Sequence, residues 1–374
     1  MKKFKLFGIS AIALLAVGSL VACNPNTEPT DLTKIKIGLH ENLGAGAGYS
    51  AIQQGYFKEE GIDAEPVMGG GPALATALVS GEINISFMGG GVAWNYFTTN
   101  QEIKIVALDN LTDDDRLIAT TTGKGKDLTI NSTLVEIGNV LKGAKVALDF
   151  DATPKTFWNS LLNKINADFT TGSKLWYEDD KGDKFPTGLS DSDYVDSNKV
   201  LVYKLTNTNI PVAMQNKEYD FCVAFSPAAT KLETDTSNFK VIAKTSTHLP
   251  DDYQPSTWGV NAKWLESNKE TFQKVMNGLV KGMNYRHDNP EGTCKDIETL
   301  TAGKVLAKSM STDIAVWLNA EQQLELDANG NMKKYSENIR QAKLEANPDK
   351  VDASITVEKA TDFSYLLNAC KSVK

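Results

Sequence analysis

The sequence predicts an α/β protein of two lobes, each a mixed, mainly parallel sheet flanked by helices, with a ligand cleft between the lobes. Strand-like and helix-like segments alternate twice along the chain, which is typical of parallel sheets with covering helices. The 352 of 374 residues that follow a predicted leader exceed the ~250–300 residues at which a single core stops growing. Glycine-rich turns follow several strands, at the edge where open α/β sheets bind ligands.

The N-terminus has the layout of an export signal. A basic start, MKKFK, precedes an apolar or small stretch from Leu6 to Ala22, as in secretory signals. That stretch ends in LVAC before a polar NPNTEPTD, which resembles the lipobox of bacterial lipoproteins. We therefore expect residues 1–22 to be removed, Cys23 to carry lipid at the extracytoplasmic face of the membrane, and residues 23–33 to form a tether. The alternatives are an ordinary signal peptide with an incidental cysteine and an uncleaved anchor, which would be short for a span of ~20 residues.

The first lobe is predicted over residues 34–115. Lys34–His40 alternates apolar and polar residues as a half-buried strand does, and Ala45–Glu60 carries aromatic residues at helical spacing before Gly61 ends the helix. Further strands are predicted at 62–67, 83–89 and 103–109, and further helices at 72–80 and 90–99.

A glycine pattern in this lobe invites a different interpretation. Gly46 to Ala51 fits the G-x-G-x-x-[GA] turn of dinucleotide-binding folds. However, the first glycine follows the strand only after Glu41-Asn42-Leu43, whereas in that fold it closes the strand directly. An exported protein also has little use for a cytoplasmic nucleotide, so we expect no cofactor.

The second lobe is predicted over residues 116–245. Its strands are expected at 116–122, 144–150, 199–205, 219–225 and 239–245, with helices starting at Thr153, near 211 and after Ser226. Residues 176–198 are polar and rich in Pro and Gly, which favours an exposed insertion. Residues 246–374 are predicted to form a return crossover and helices that pack mainly on the first lobe.

Charge and cysteine content exclude several classes of function. Loss of Lys2, Lys3 and Lys5 with the leader leaves 36 basic against 47 acidic residues, a net charge of −11. This acidic balance argues against nucleic-acid partners and a polybasic membrane patch. The cysteines after Cys23 have neither zinc nor disulfide-framework spacing, although a pair between Cys294 and Cys370 stays open. The three histidines are too scattered to predict a metal site.

Five phrases in chain order carry a family resemblance. They are SAIQQGYFKEEGIDAEPV, GGGPALATALVSGEINISFMG, LKGAKVALDFDATPKTFWNSLL, PVAMQNKEYDFCVAFSPAAT and WGVNAKWLESNKETFQKVMNGLVKGMNYRHDNPE. Together they resemble substrate-binding proteins of the NMT1/THI5-like group, the solute receptors of ABC importers for sulfonates, nitrate, thiamine-precursor pyrimidines and riboflavin-like molecules. The resemblance implies a type II periplasmic-binding-protein fold whose lobes close about a hinge. Asn84 departs from the aspartate usual in the group, and insertions near 123–140 and 170–198 are longer than expected.

The candidate ligand-binding residues lie at predicted strand ends and helix starts. Free N–H groups at a helix start attract a ligand acceptor, and acids at a strand end accept from a ligand amine or ring N–H. The set comprises His40, Glu41, Asn42, Gly70, Gly71, Gly89, Gly90, Asp149, Asp151, Thr153, Ser226 and Trp258. Other roles stay open for each: Asp151 or Thr153 as a helix N-cap, the glycines as tight turns, Glu41 as a solvated charge and Trp258 as part of the core.

These residues favour a receptor for a small, flat heterocycle, such as a pyrimidine, over a strongly anionic ligand, because no arginine stands at the strand ends. The alternative within the same fold is a receptor for a sulfonate, taurine or nitrate. The expected partners are an ABC permease and ATPase, with the receptor itself a monomer. Two other functional classes have less support from the sequence. They are a thiamine-pyrimidine synthase, whose cysteine-rich motif is missing, and a surface sensing or adhesion lipoprotein.

Overall fold

The computed structural model of the protein describes residues 32–96, 102–150, 153–346 and 352–373. All of them belong to one compact unit, Leu32–Lys374. The predicted leader, the lipidation site Cys23 and the candidate ligand residue Asp151 lie outside the described residues.

Strands and helices alternate along the described chain. The strands are β1 Thr33–Leu39, β2 Ile62–Met68, β3 Ile85–Gly89, β4 Ile103–Thr112, β5 Arg116–Thr120, β6 Lys145–Leu148, β7 Tyr177–Glu178, β8 Lys184–Phe185, β9 Leu201–Lys204, β10 Phe221–Ala224, β11 Phe239–Lys244, β12 Gln254–Asn261 and β13 Ala315–Trp317. The helices are α1 Gly46–Gln53, α2 Tyr56–Glu59, α3 Gly71–Ser80, α4 Gly90–Tyr96, α5 Leu134–Leu141, α6 Thr153–Ala167, α7 Ile210–Gln215, α8 Ala228–Glu233, α9 Thr245–His248, α10 Ala262–Ser267, α11 Lys269–Asp288, α12 Pro290–Leu300, α13 Ala320–Ala328, α14 Asn331–Ala346, α15 Val357–Ala360 and α16 Ser364–Ser372.

Two sheets organise these elements. The first has the order β13-β4-β12-β3-β1-β2, and the second has the order β11-β5-β10-β6-β9. In the first sheet β1 runs parallel to β2 and β3, while β12 is antiparallel to both β3 and β4. In the second sheet β6 runs parallel to β9 and β10, and β5 is antiparallel to β10 and β11. Both sheets are thus mixed, as predicted.

The helix predicted at Ala45–Glu60 is wrong as one element. The structure divides it into α1 and α2, and Gly55 between them has a φ of 79°. Glycine adopts this left-handed conformation without the steric cost that a Cβ would bring. Aromatic spacing alone does not reveal such a break.

Strand β12 has no counterpart in the sequence prediction, although it occupies the centre of the first sheet. Its sequence QPSTWGVN includes Pro255 and Gly259, residue types depleted in strands. A Cβ on Gly259 would lie 2.2 Å from Cε of Met88 on the neighbouring strand, so any side chain there would require Met88 to move. Close packing between strands therefore replaces the side-chain alternation on which the prediction depends.

The insertion at residues 170–198 is more ordered than an exposed loop. It contains the β7–β8 hairpin, in which Tyr177 is fully buried and stacks on Phe185 with 5.4 Å between ring centroids. The ammonium of Lys155 on α6 lies 4.3 Å from the Phe185 ring centroid and 3.2 Å from a carboxylate oxygen of Asp179. These contacts fasten the hairpin to α6 through a cation–π interaction and an ion pair.

The helices that follow β12 pack on the first sheet. Helix α11 lies against α1, α2 and α16, and α14 lies against α4. The described cysteines Cys222, Cys294 and Cys370 are buried and free, so the structure contains no Cys294–Cys370 pair. In the described part of the chain, the helices are too short or too polar to cross a membrane.

A buried ion pair joins α11 to the end of β4. Asp109 and Arg286 are both fully buried, and Nη1 of Arg286 lies 2.6 Å from Oδ2 of Asp109. Arg286 also donates to the carbonyls of Asp109 and Gly44, each at 2.8 Å. The indole N–H of Trp258 donates to Oδ1 of Asp109 at 2.5 Å. A single carboxylate therefore connects β4, β12 and α11.

We expect Asp109→Ala to lower the free energy of unfolding by about 3–5 kcal/mol, because it leaves a buried guanidinium without its counter-charge. Urea denaturation measures the effect. Lys281→Ala on the same helix is the matched control, since Lys281 pairs with Glu59 and Glu60 at the surface and should contribute no more than about 1 kcal/mol. Equal losses in the two variants would contradict the central role of Asp109.

Candidate functional site

The carboxyl edges of the two sheets meet at a three-residue link. Strand β4 runs parallel to β3, since β12 is antiparallel to both, and it ends at Thr112. Strand β5 begins at Arg116, which pairs with Ala224 at the end of β10. Residues 113–115 therefore join the two edges, and three extended residues span only about 10 Å. The strand ends of both sheets must flank the same region.

Three consecutive acids form this link, and each bonds to a different element. The side chain of Asp113 accepts from the N–H and hydroxyl of Ser246 on α9, at 2.8 and 2.5 Å. Because Ser246 lies on the second connection between the sheets, residues 245–253, this contact ties the two crossovers together. Asp114 accepts from the N–H of Ser226 at 3.1 Å and from its hydroxyl at 2.7 Å. Asp115 accepts from the hydroxyl of Thr153, the first residue of α6, at 2.9 Å.

Arg116 supplies the counter-charge next to this link. Its side chain is fully buried and pairs with Asp114 at 2.7 Å, with Glu233 on α8 and with Asp313 at 3.7 Å. Asp313 precedes β13 in the C-terminal part of the chain, and the carbonyl of Ile314 accepts from the N–H of Asp113 at 2.8 Å. The link is therefore held from both sheets.

His40 lies at the carboxyl edge of the first sheet, directly after β1. Its ring meets Phe87 edge-on with 5.0 Å between centroids, and Phe87 meets Trp258 similarly at 5.8 Å. Burial lowers the pKa of His40, which favours the neutral ring at pH 7. Its Nε2 is buried without a hydrogen-bond partner in the described residues.

The start of α3 adjoins that nitrogen. A Cβ placed on Gly71 would lie 3.4 Å from Nε2 of His40, and α3 begins at Gly71 with Gly70 as its N-cap. In the tautomer protonated at Nε2, His40 and the N–H of Gly71 are donors on one small patch, while Pro72, the next residue of α3, has no N–H to donate. This patch suits a ligand acceptor.

The other first-lobe candidates have different surroundings. Glu41 is exposed and lies 3.8 Å from the ammonium of Lys304. The side chain of Asn42 accepts from the N–H of Ala45 and so caps a 3-10 turn. Gly89 ends β3 and Gly90 begins α4, where a Cβ on Gly90 would lie 2.3 Å from Ile339. Trp258 is fully buried, so it belongs to the core of the first sheet and not to a cleft surface.

The second-lobe candidates bond within the chain. Asp149 follows β6 and accepts from the N–H of Asn207 at 3.1 Å, while Thr153 and Ser226 bond to the acids of the link. The structure therefore brings Thr153 and Ser226 together around residues 113–115. Sequence reasoning missed that link, although three acids between two buried strands signal a bonded cluster, because unpaired buried acids are too costly.

A separate cavity of about 300 Å³ opens at the opposite edge of the second sheet. Its lining includes Thr120, Lys217, Asp235 and Asn238. Thr120 ends β5, which is antiparallel to β10, so this cavity lies at the amino edge and away from the candidate residues. In the described residues we find no group of three His, Cys, Asp or Glu that could hold a metal ion.

Comparison with known proteins supports the sequence resemblance. The sequence model of the family described as NMT1/THI5 like matches residues 172–293, from the insertion to the start of α12. Comparison with curated protein sequences finds no match. The predicted resemblance to the NMT1/THI5-like group is confirmed by the family match over residues 172–293.

Three solved structures illustrate the likeness of fold. The periplasmic aliphatic sulphonate binding protein SsuA from Escherichia coli has a TM-score of 0.57 at 13% identity, covering 86% of this chain and 96% of its own. The periplasmic sulfonate-binding protein SsuA from Methylobacillus flagellatus has a TM-score of 0.62 at 16% identity, covering 91% and 95%. The periplasmic nitrate-binding protein NrtA from Synechocystis has a TM-score of 0.55 at 14% identity, covering 92% and 90%. The predicted periplasmic-binding-protein fold is confirmed.

We expect Asp115→Asn to flatten the pH dependence of stability. Burial raises the pKa of Asp115 to about 7 from its ordinary 3.8, against the opposing hydrogen bond from Thr153. Between these values the folded protein keeps a proton that the unfolded chain has released. The contribution of Asp115 to stability is therefore fully present below pH 3.8 and is lost as pH rises from there through 7, by about 1–4 kcal/mol.

Urea denaturation at a series of pH values between 4 and 8 tests this expectation. The variant should lose that part of the decline, because the amide accepts from Thr153 but does not ionise. The exposed Glu65→Gln on β2 is the control and should follow the wild-type profile. Parallel profiles for wild type and Asp115→Asn would show that Asp115 is not the titrating group.

Proposed function

We propose that the protein is the extracytoplasmic solute-binding subunit of an ABC importer, which captures a small organic molecule between its two lobes. The observation that carries this proposal is the three-residue link, which sets the carboxyl edges of two α/β sheets side by side. Ligands of open α/β sheets bind at such edges. The solved structures of similar fold include binding proteins for sulphonates and nitrate, which supports a receptor that releases its ligand unchanged over an enzyme.

Capture would proceed by rotation of the lobes about residues 113–115 and 245–253. Hinges of this kind absorb the motion at a few residues between rigid bodies. The bonds between Asp113 and Ser246 would keep the two crossovers together during the motion. A permease and an ATPase would receive the ligand from the closed form.

The contacts refine the ligand class. The acids predicted to accept from a ligand amine are bonded within the chain, as Asp149 is, or lie in solvent, as Glu41 does. Trp258 offers no exposed ring. Nε2 of His40, beside Gly71, has no hydrogen-bond partner in the described residues, so the ligand would present an acceptor atom to the first lobe. A heterocycle with ring nitrogens or carbonyls and an oxyanion both satisfy this condition.

Calorimetry against pyrimidines, flavins, aromatic amines, taurine, other alkanesulfonates and nitrate tests ligand capture. We expect one class to bind, and its saturated complex to have a smaller radius of gyration in small-angle scattering, because closure brings the lobes together. A compound from the panel that does not bind is the control for non-specific effects. Binding with an unchanged radius of gyration would argue for a rigid scaffold, and binding followed by conversion of the compound would argue for an enzyme.

We also propose that Cys23 is the lipidated N-terminus of the mature protein, which would keep the receptor beside its permease. The lipobox-like LVAC motif supports this proposal. Stable anchoring needs more than one acyl chain, since each buried CH₂ contributes only ~0.8 kcal/mol. Cys23→Ala should therefore move the protein from the membrane fraction to the soluble fraction in fractionated cells. Cys222→Ala is the matched control, because that thiol is buried in the fold, and unchanged retention of Cys23→Ala would refute lipid anchoring.

A further inference from the structure

A lysine from the C-terminal part of the chain lies beside the glycine-rich end of β3. Helix α14 packs along α4, with Ile339 against Gly90 and Lys343 one turn further on. A Cβ placed on Gly91 would lie 2.9 Å from Cε and 3.2 Å from Nζ of Lys343. The absence of a side chain at Gly91 is thus what leaves room for the ammonium.

This ammonium has no counter-charge in the described part of the chain. Other cations of α14 are paired: Lys333 with Glu358, Lys334 with Asp251 and Arg340 with Glu337. Lys343 makes neither a hydrogen bond nor an ion pair with any described residue, and it is half-buried. Burial lowers its pKa, and no nearby acid opposes the shift. Partial desolvation of an unpaired cation is unfavourable, so no contact among the described residues stabilises this charge in the empty protein.

The position of Lys343 connects it to the donor patch. Val92 follows Gly91 on α4, and its Cγ2 lies 3.3 Å from a Cβ placed on Gly71. Gly71 in turn adjoins Nε2 of His40. Lys343 and His40 therefore flank the adjacent starts of α4 and α3, and both present donors at the carboxyl edge of the first sheet.

We propose that Lys343 is the counter-charge for an acidic group of the ligand, so that the receptor selects a carboxylate or sulfonate over its neutral analogue. This inference rests on the proposed function, since it assigns the ligand of the same cleft. Sequence reasoning pointed away from an anion because no arginine stands at the strand ends. The structure brings a lysine to one of those ends from a helix far along the chain.

The assignment is tested with two matched pairs of probes, nicotinate with nicotinamide and methanesulfonate with methanesulfonamide. Within a pair the members have similar shape but differ in charge. We expect the wild-type protein to bind at least one acid more tightly than its amide in calorimetry. Lys343→Met should lower the affinity for that acid ten- to a hundredfold, the usual effect of losing a charged hydrogen-bond partner. It should leave the affinity for the amide unchanged.

Thermal melting of the empty protein separates this role from a structural one. A lysine that stabilises the fold would lower the melting temperature when replaced, whereas removal of an unpaired, half-buried charge should raise it or leave it unchanged. Lys333→Met on the same helix is the matched control, because Lys333 pairs with Glu358 at the surface. It should bind the acid as the wild-type protein does.

Three results would overturn the proposal. They are equal affinity for acid and amide in the wild-type protein, undiminished acid binding by Lys343→Met, and failure of both acids to bind. None of these removes the receptor function if a neutral compound of the wider panel binds and compacts the protein. Failure of every panel compound to bind would instead count against the proposed function itself.

Discussion

The buried ion pair between Asp109 and Arg286 fixes the end of β4, and most of the candidate site is placed relative to that end. Its carboxylate also holds the indole of Trp258, and ring contacts continue from Trp258 through Phe87 to His40. Four residues beyond Asp109 the chain enters the link between the sheets. A charge pair is costly to bury unless its remaining hydrogen bonds are satisfied. Here the carbonyls of Gly44 and Asp109 accept from the two Nη groups of Arg286, whereas Nε is buried without a partner in the described residues. The pair therefore sets position and not only stability.

The sequence contains enough information for much of the fold. Strands such as β1 and β6 follow from apolar patterns, and Gly81 ends α3 in a left-handed conformation as expected of a glycine after a helix. Strand β12 could not be predicted, because its place in the sheet depends on Met88 filling the space above Gly259. The division of α1 from α2 at Gly55 likewise depends on a backbone angle. Local patterns predict an element well where its side chains determine the conformation. They predict it less well where the conformation depends on a glycine, which has no side chain.

The candidate site likewise has features that the sequence predicts and features that depend on tertiary contacts. The glycines that begin α3 and α4 were expected at a strand end, and the structure places them there. The partners of the polar residues were not predictable, because they are distant in sequence: Thr153 bonds to Asp115, Ser226 to Asp114, and Lys343 reaches Gly91. A sequence shows which groups can bond, but only the tertiary structure shows which of them the chain uses for itself and which it leaves for a ligand.

The bonds between Asp113 and Ser246 have a mechanical consequence. These bonds hold the two connecting segments, 113–115 and 245–253, at a fixed separation. Rotation of the lobes about a line through both segments would change that separation least. Twisting of one lobe over the other would instead pull the crossings apart and break these bonds. The proposed closure of the lobes would thereby be restricted to rotation about one axis. Loops at the strand ends could then change to suit a different ligand while the axis of the proposed closure stayed the same.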